Sequence, residues 1–332
     1  MILVTGGTGL LGSHLLLELA KKQDSIRALK REHADLSAVR SVFASVPQLY
    51  DKIEWMDCDI RDTETLNIAF ENVDHVYHSA AMVSFNSTDI DVMMSTNVEG
   101  TENIVNMSLA HGVKKLVHAS SVAALGRNFE NGLINEETHW HTSKENSNYA
   151  ISKYGAEREV WRGIAEGLNA VIVNPSIIIG PGIWNANGGA LIKYVYDERM
   201  FYPTGSTGFV DVRDVVSCMI QLMESEITAE RFVINSENMP YKTIMDWAAE
   251  AMNKSKSKIK VTPLMGALGW RAEKIKSRIT GKSPMITRET THTSFKKYFY
   301  SNQKIKDAIG IDFIPIKESV EWTCGKLMEE YK

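Results

Sequence analysis

"MILVTGGTGLLGSHLLLELAKK", residues 1–22, decides the fold. It opens on an apolar run, turns through glycines, and continues as a helical pattern with leucines at 15, 16 and 19. Gly6, Gly9 and Gly12 stand at the spacing GxxGxxG, with Thr8, Leu10 and Leu11 between them. Each glycine has a mechanical task. The first allows a tight turn at positive φ, the second lets a diphosphate approach the backbone, and the third lets helix and strand pack closely. Free N–H groups and the dipole at the helix start then face phosphate charge. The stretch predicts the first strand-turn-helix unit of a dinucleotide-binding sheet.

The alternation continues outward from there. Strands are expected at "SIRALKRE" (25–32), "KIEWMDCDI" (52–60), "HVYHSAA" (75–81), "KKLVHASSVAALG" (114–126) and "NAVIVNPS" (169–176). Helical patterns fall between them at "RDTETLNIAFENV" (61–73) and from Asp89 to Ala110. Strands alternating with helices imply crossover connections, hence an α/β Rossmann-type, doubly wound parallel sheet. Ligands of such sheets sit beyond the carboxyl ends of the strands. The residues to read are therefore Gly6 to Gly12, Lys30 and Arg31, Asp59 and Ile60, Ser79, Ala80 and Ala81, Ser120 and Ser121, and Pro175 and Ser176.

The end of the second strand bears on the cofactor. An acidic residue there takes the ribose hydroxyls of NAD, whereas an arginine nearby accommodates the extra phosphate of NADP. Lys30 and Arg31 stand where an acid would sit, which favours NADP over NAD, although Glu32 follows and remains within reach of the ribose.

"SNYAISKYGAEREVW" (147–161) places Tyr149 and Lys153 four positions apart, on one face of a helix. The interval alone says little, because Tyr300 and Lys304 repeat it. Location separates the two pairs. The first follows the strand that ends at Ser120 and Ser121; the second has no such strand before it.

A net charge of −4 lacks the basic excess of a nucleic-acid binder. Cys58, Cys218 and Cys324 are too few and too scattered for a disulfide framework or a metal knuckle, which fits a cytoplasmic location. The nine histidines show no metal-ligand spacing, and His78 and His118 read as packing residues within strands. No apolar stretch would span a bilayer. "MILVT" already reads as a buried strand, so no signal or transit peptide is expected.

The sequence resembles the extended short-chain dehydrogenase/reductase superfamily, of the NAD-dependent epimerase/dehydratase type. The resemblance rests on "TGGTGLLGSHL" (5–15), "CDIRD" (58–62), "VYHSAA" (76–81), "STNVEGT" (95–101), "VHASSVAALG" (117–126), "YAISK" (149–153), "NPSIIIGPG" (174–182) and "FVDVRDV" (209–215), all in the family's order. It implies a catalytic triad of Ser121, Tyr149 and Lys153, with Ser121 preferred to Ser120 because it stands five residues before Gly126. Asn97 matches the family's structural asparagine, which would join a relay to Lys153. Asp59 would bond the adenine amino group, with Ile60 beside it. Ser79, Ala80, Ala81 and Pro175 would line the cofactor channel, and Pro175, Ser176, Ile177 and Ile178 would border the nicotinamide. Within the superfamily, "IRALKRE" (26–32) and "PMITRETTHTSFKKYFYSNQKIKDAIGIDFIP" (284–315) look more like the dihydroflavonol-reductase and hydroxysteroid-dehydrogenase branch, which generally uses NADP.

The chemistry needs these residue types. A tyrosine with its ordinary pKa of about 10 is a poor base at neutral pH. A nearby ammonium and an oxidised nicotinamide both favour the phenolate, which lets the phenol exchange a proton with an alcohol or ketone. Ser121 would hold the substrate oxygen and Lys153 the nicotinamide ribose. The expected activity is hydride transfer between NADP and a ketone or secondary alcohol. A nucleotide-sugar epimerase or dehydratase with tightly bound NAD is the alternative within enzymes, and a non-catalytic dinucleotide sensor is the alternative outside them. The partner is a small molecule, and the chain is expected to form a homodimer through the long helices after strands four and five.

At 332 residues the chain exceeds one ordinary core. Residues 1–174 plus 207–236 read as a cofactor domain, and 175–206 plus 237–332 as a smaller, mostly helical substrate lobe. Trp184, Phe201, Tyr202, Met265 and Trp270 are candidates for an apolar pocket wall or for core closure. Residues 253–282 are basic, with Leu264, Met265, Leu268, Trp270, Ile275 and Ile279 interleaved. A solvated helix face is the default reading there; an anionic ligand or membrane surface is the alternative.

Overall fold

The computed structural model describes residues 1–126, 132–143, 146–182, 184, 187–280 and 287–330, excepting the side chains of 87, 187 and 278–280. The N-terminal half alternates as expected. Strand β1 (Ile2–Thr5) leads to α1 (Leu10–Lys22), β2 (Ile26–Lys30) to α2 (Ser37–Phe43), and β3 (Ile53–Asp57) to α3 (Thr63–Ala69). Then come β4 (His75–His78), α4 (Ile90–Met94), α5 (Gly100–Ala110), β5 (Lys115–Ala119), α6 (Asn148–Ala165) and β6 (Ala170–Pro175). Further on, β7 (Ile177–Ile179), α7 (Asn187–Tyr196), β8 (Phe201–Tyr202), β9 (Ser206–Asp211), α8 (Val212–Glu224) and β10 (Glu230–Ile234) follow.

Seven parallel strands pair in the order β10-β6-β5-β4-β1-β2-β3. Val4 lies in register with Ala28 on one side and Tyr77 on the other. The strand order reverses between β1 and β4, so their carboxyl ends frame the crevice where a dinucleotide binds in such sheets.

Successive strand residues feed opposite cores, as the two-residue period requires. Val4, Val117, Val171 and Val173 pack with Leu15, Leu16 and Met219 on one face. Leu3, Leu116 and Ile172 pack with Leu66, Ile104 and Val160 on the other.

Several elements differ from the sequence expectation. The strands stop early: β5 ends at Ala119, and Val122–Ala124 forms a single 3-10 turn capped by the Ser121 side chain. Ser120 keeps one backbone bond to Val173 of β6 at 2.8 Å, and Ser121 leaves the sheet as the cap of that turn. The helix expected from Asp89 to Ala110 is interrupted by a π-helical turn, Ser95–Glu99. After Ser236 two more strands lie among the helices. β11 (Glu237–Pro240) pairs antiparallel with β9, which in turn lies parallel to β7, and β12 (Ile259–Lys260) pairs with β8. Such short strands are made by tertiary pairing and carry too few residues for a periodic signal. Helices α9 (Tyr241–Ala251), α10 (Pro263–Thr280), α11 (Arg288–Thr293), α12 (Gln303–Ile309) and α13 (Ile316–Glu330) complete the chain.

A separate core beneath these elements joins Ile192, Phe209, Ile244, Met245, Val320 and Cys324. Trp184 is 5% exposed and belongs to it, so this aromatic closes a core. Tyr300 is likewise buried, and its sequence neighbour Lys304 forms an ion pair with Glu230. That second Tyr/Lys pair is structural.

Candidate active site

The glycine turn is fixed by close backbone approach. Gly6 has φ +72°, and a Cβ there would lie 2.6 Å from the Ala80 nitrogen at the end of β4. A Cβ on Gly12 would lie 2.1 Å from the Gly6 oxygen. Gly9 is the N-cap of α1, and no side chain caps that helix end. The first amides of α1 are thus left for a ligand, at the β1/β4 crevice. Leu10 is buried against the 180–182 segment, where the His14 ring bonds the Pro181 carbonyl at 2.9 Å. Thr8 and Leu11 are half-buried. A diphosphate fits this uncapped helix end.

Around the crevice, the Ser79 hydroxyl donates to the Thr5 carbonyl at 2.7 Å, and the Ala80 N–H donates to Thr5 Oγ1 at 3.2 Å. Ala81 is exposed, and Ile60 is buried. Asp59 accepts the Arg61 guanidinium at 2.6 Å, and this hydrogen bonding lowers its pKa. Lys30 pairs with Asp57 across β2 and β3, so its ammonium is already engaged. Arg31 is exposed beyond it. Ile177 and Ile178 are half-buried on β7, after Pro175. Ser176 between them is buried, and its hydroxyl meets no described hydrogen-bond partner.

The structure brings Ser121 to Tyr149 and sets Lys153 one helical turn further along α6. Ser147 caps α6 by accepting the Ala150 N–H at 3.1 Å, which starts the helix one residue before Tyr149. Phe85 packs edge-on to the Tyr149 ring at 5.8 Å. Burial raises the Tyr149 pKa, and a hydrogen bond with Ser121 pulls it back. Lys153 is 2% exposed and donates to the Ala119 carbonyl at 2.9 Å. Burial lowers its pKa to about 8, against the attraction of Glu157. The lowered phenol pKa expected from the sequence is absent here: burial outweighs the Ser121 hydrogen bond, and the Lys153 ammonium is engaged by the Ala119 carbonyl instead.

Asn97, inside the π-helical turn, is buried and clamps one peptide. Its Oδ1 accepts the Met82 N–H at 2.7 Å, and its Nδ2 donates to the Met82 carbonyl at 2.9 Å and to Ser152 Oγ at 2.9 Å. Ser152 in turn donates to the Tyr149 carbonyl at 2.8 Å. Asn97 therefore reaches the Tyr149 turn through Ser152, and no hydrogen bond links it to Lys153 among the described residues. His78 ties the same asparagine to the glycine turn. Its Nδ1 pairs with Thr5 Oγ1 at 2.7 Å and its Nε2 with Thr101 Oγ1 at 2.9 Å; Thr101 donates to the Asn97 carbonyl at 2.6 Å. Burial, with Lys153 adding, holds the His78 pKa at about 3, so the ring bridges in its neutral form. His118 lies 5.0 Å from that ring, and neither of its nitrogens meets a described hydrogen-bond partner.

Glu157 is the residue that sequence reasoning passed over. It sits one helical turn beyond Lys153, is 2% exposed, and accepts the Ser120 hydroxyl at 2.7 Å and Asn174 Nδ2 at 2.7 Å. Asn174 also donates to the Ser121 carbonyl at 3.0 Å. The carboxylate thus fixes both serines at the end of β5, one through its side chain and one through its backbone. A charged residue at the i+4 position from a buried lysine was the available signal.

Of the remaining candidates, Phe201 and Met265 are exposed, Tyr202 and Trp270 half-buried. Lys282 lies outside the described residues, as do the side chains of Arg278 and Ile279. No metal-ligating cluster occurs among the described residues. No described helix is long and apolar enough to cross a membrane.

The profile of the NAD dependent epimerase/dehydratase family matches residues 2–235. The chain is 30% identical over 265 residues to sterol demethylase protein B of Methylococcus capsulatus, covering 79% of this chain and 77% of that one. It is 27% identical over 327 residues to the protein named "Putative dihydroflavonol 4-reductase" of Synechocystis sp., covering 96% and 91%. Among solved structures, gox2253 superposes with a TM-score of 0.81 at 28% identity, covering 99% of this chain and 98% of that one. The UDP-glucose 4-epimerase of Thermotoga maritima shares the fold, with a TM-score of 0.80 at 20% identity over 100% and 99% of the two chains. With its glycine turn, parallel sheet and family match in agreement, the chain belongs to the NAD dependent epimerase/dehydratase family of extended short-chain dehydrogenases/reductases and is an NAD(P)-dependent enzyme of that class.

Proposed function

We propose that the enzyme reduces a ketone to a secondary alcohol, and runs the reverse oxidation, with NADP as cofactor. The observation that carries this reading is the convergence of Ser121 on a buried Tyr149 whose phenol is held protonated at neutral pH. A protonated phenol is the acid that carbonyl reduction needs. Bound at the crevice, the dinucleotide supplies the hydride. Ser121 orients the substrate oxygen, Tyr149 gives it a proton, and Lys153 holds the ribose and steadies the phenolate that remains. Asn97 supports this turn of α6 through Ser152. The uncapped α1 end, with Gly6, Gly9 and Gly12, takes the diphosphate; Asp59 and Ile60 take the adenine; Arg31, with Lys30 behind it, meets the 2′-phosphate.

Residues 1–174 plus 207–236 act as the cofactor domain, and 175–206 plus 237–332 as the substrate lobe. The free, buried cysteines Cys58, Cys218 and Cys324 support a cytoplasmic enzyme, and the long α5 and α6 support a homodimer. The engaged Lys30 favours a second reading, an NAD-retaining nucleotide-sugar epimerase or dehydratase, because it leaves one free cation fewer for a 2′-phosphate.

The test is a screen of ketones, steroids, flavonoids and sugar nucleotides with NADPH and NADH, followed by Tyr149→Phe. Turnover of a ketone that falls at least about a thousandfold in the variant, with NADPH binding retained, is expected. Undiminished turnover in Tyr149→Phe removes the assigned role, and co-purified NAD with sugar-nucleotide turnover selects the second reading.

A further inference from the structure

Seven of the thirteen large hydrophobic side chains exposed among the described residues fall in one region: Met200 and Phe201, Ile259, and four on α10. Phe201 and Ile259 are register partners on β8 and β12, and β12 runs through Val261 and Thr262 straight into α10. On α10, Leu264, Leu268 and Ile275 are 71%, 61% and 61% exposed. At 100° per residue they fall within an arc of about 40°. They form a stripe along the helix that no described residue covers.

Charge frames the stripe. Between Lys254 and Lys276 the chain carries seven cations and a single acid, Glu273, in a protein whose net charge is −4. Arg271 and Lys274 lie on one side of the stripe and Lys276 on the other, all exposed. Lys258 and Lys260 extend the basic edge along β12.

We propose that α10 is an interfacial docking helix that lies in the plane of an anionic phospholipid surface, with Leu264, Leu268 and Ile275 among the acyl chains and the flanking lysines and arginine on the headgroups. A leucine/isoleucine stripe with basic edges is the pattern such helices require. A second copy of the chain fits it poorly. A two-fold contact through the stripe sets each basic edge against another, and like charges across an interface oppose association. A soluble phosphate ligand has no use for the apolar side chains.

The helix is also coupled to the active site. Gly266 is buried where a Cβ would meet Thr291 Cγ2 at 2.6 Å, so α10 is pressed onto α11. Glu289 of α11 accepts Asn148 Nδ2 at 2.9 Å, and Asn148 immediately precedes Tyr149. One short helix separates the docking face from the catalytic one.

Co-sedimentation of the full chain with vesicles tests the proposal, using pure phosphatidylcholine and an equal mixture with phosphatidylglycerol. Binding to the anionic vesicles is expected to be at least about tenfold tighter and to weaken as salt is raised. Leu264→Gln with Leu268→Gln is expected to abolish it, and Lys258→Gln with Lys274→Gln to weaken it by about tenfold or more. All four positions are exposed, so circular dichroism should show unchanged folding. Equal binding to both vesicle types, or full retention in the leucine variant, overturns the proposal. So does a dimer that the leucine substitutions dissociate in sedimentation velocity when no vesicle binding is found, because the face then belongs to a second copy.

Discussion

Glu157 Oε1 and Arg231 Nη1 lie 2.9 Å apart, joining α6 to β10 as a largely buried ion pair. The guanidinium also donates to the Glu136 carbonyl from Nε at 3.0 Å, and Glu136 Oε1 accepts the Val233 N–H at 2.7 Å. Removing one partner of a buried pair leaves the other charge uncompensated, at a cost of about 3 to 5 kcal/mol. Glu157→Ala should therefore lower unfolding free energy by about that much in urea titrations. Glu157→Gln keeps the shape and can still accept from Ser120, so it should cost less, about 2 kcal/mol. Costs below about 0.5 kcal/mol for both would show that the pair does not support the β5 end.

Lys153 carries a burial cost that its substitution should reveal. Its pKa is about 8 in the folded chain against 10.5 for the ordinary side chain. Between those values the unfolded chain binds more protons, so stability rises with pH across that window. In cofactor-free protein, Lys153→Met removes the cost of a buried ammonium and orphans the Ala119 carbonyl. The net gain near pH 7 should be about 2 kcal/mol, after roughly 1 kcal/mol for the lost hydrogen bond. The gain should shrink through pH 8 and be gone near pH 10.5. Urea midpoints of both proteins across this range check it; a constant difference would refute the burial argument.

Cofactor preference should follow Arg31 more than Lys30. Lys30 is held by Asp57, whereas Arg31 is exposed at the strand end. Arg31→Ala should weaken NADPH binding by about tenfold or more while leaving NADH nearly unchanged. Lys30→Ala should have the smaller effect. Fluorescence titration with both nucleotides measures this. Tighter binding of NADH than NADPH by the unsubstituted protein would reverse the assignment.

Much of this site was legible from short intervals. The GxxGxxG turn and the Tyr149/Lys153 interval are set by local geometry, Ser121 follows from the family's spacing to Gly126, and the strand-helix alternation around them is periodic. Three features were not. The π-helical turn at Ser95–Glu99 leaves no mark in an otherwise helical pattern, although it is where Asn97 meets Met82. The role of Glu157 depends on Arg231, 74 residues away, and on Asn174, 17 residues away. The direction of the Tyr149 shift depends on how deeply the phenol is buried and on where the Lys153 ammonium is held, and neither is visible from an i,i+4 interval.

Asp214 offers a test of burial of the opposite sign, away from Ser121, Tyr149 and Lys153. It is 5% exposed at the first turn of α8, where its Oδ2 accepts the Ile314 N–H at 2.9 Å. Burial raises its pKa to about 6, the Ile314 hydrogen bond opposing, from an ordinary 3.8. Here the folded chain holds the proton more tightly. Its contribution to stability is complete below pH 3.8 and is lost as pH rises through 6. Asp214→Asn keeps an acceptor for Ile314 and has no charge to bury. The variant should match the parent near pH 4 and exceed it by about 2 kcal/mol at pH 7.5. Thermal unfolding of the two proteins at both pH values decides the point: a variant less stable at pH 7.5 would mean that the carboxylate charge is favourably held, most directly by the Arg213 guanidinium beside it.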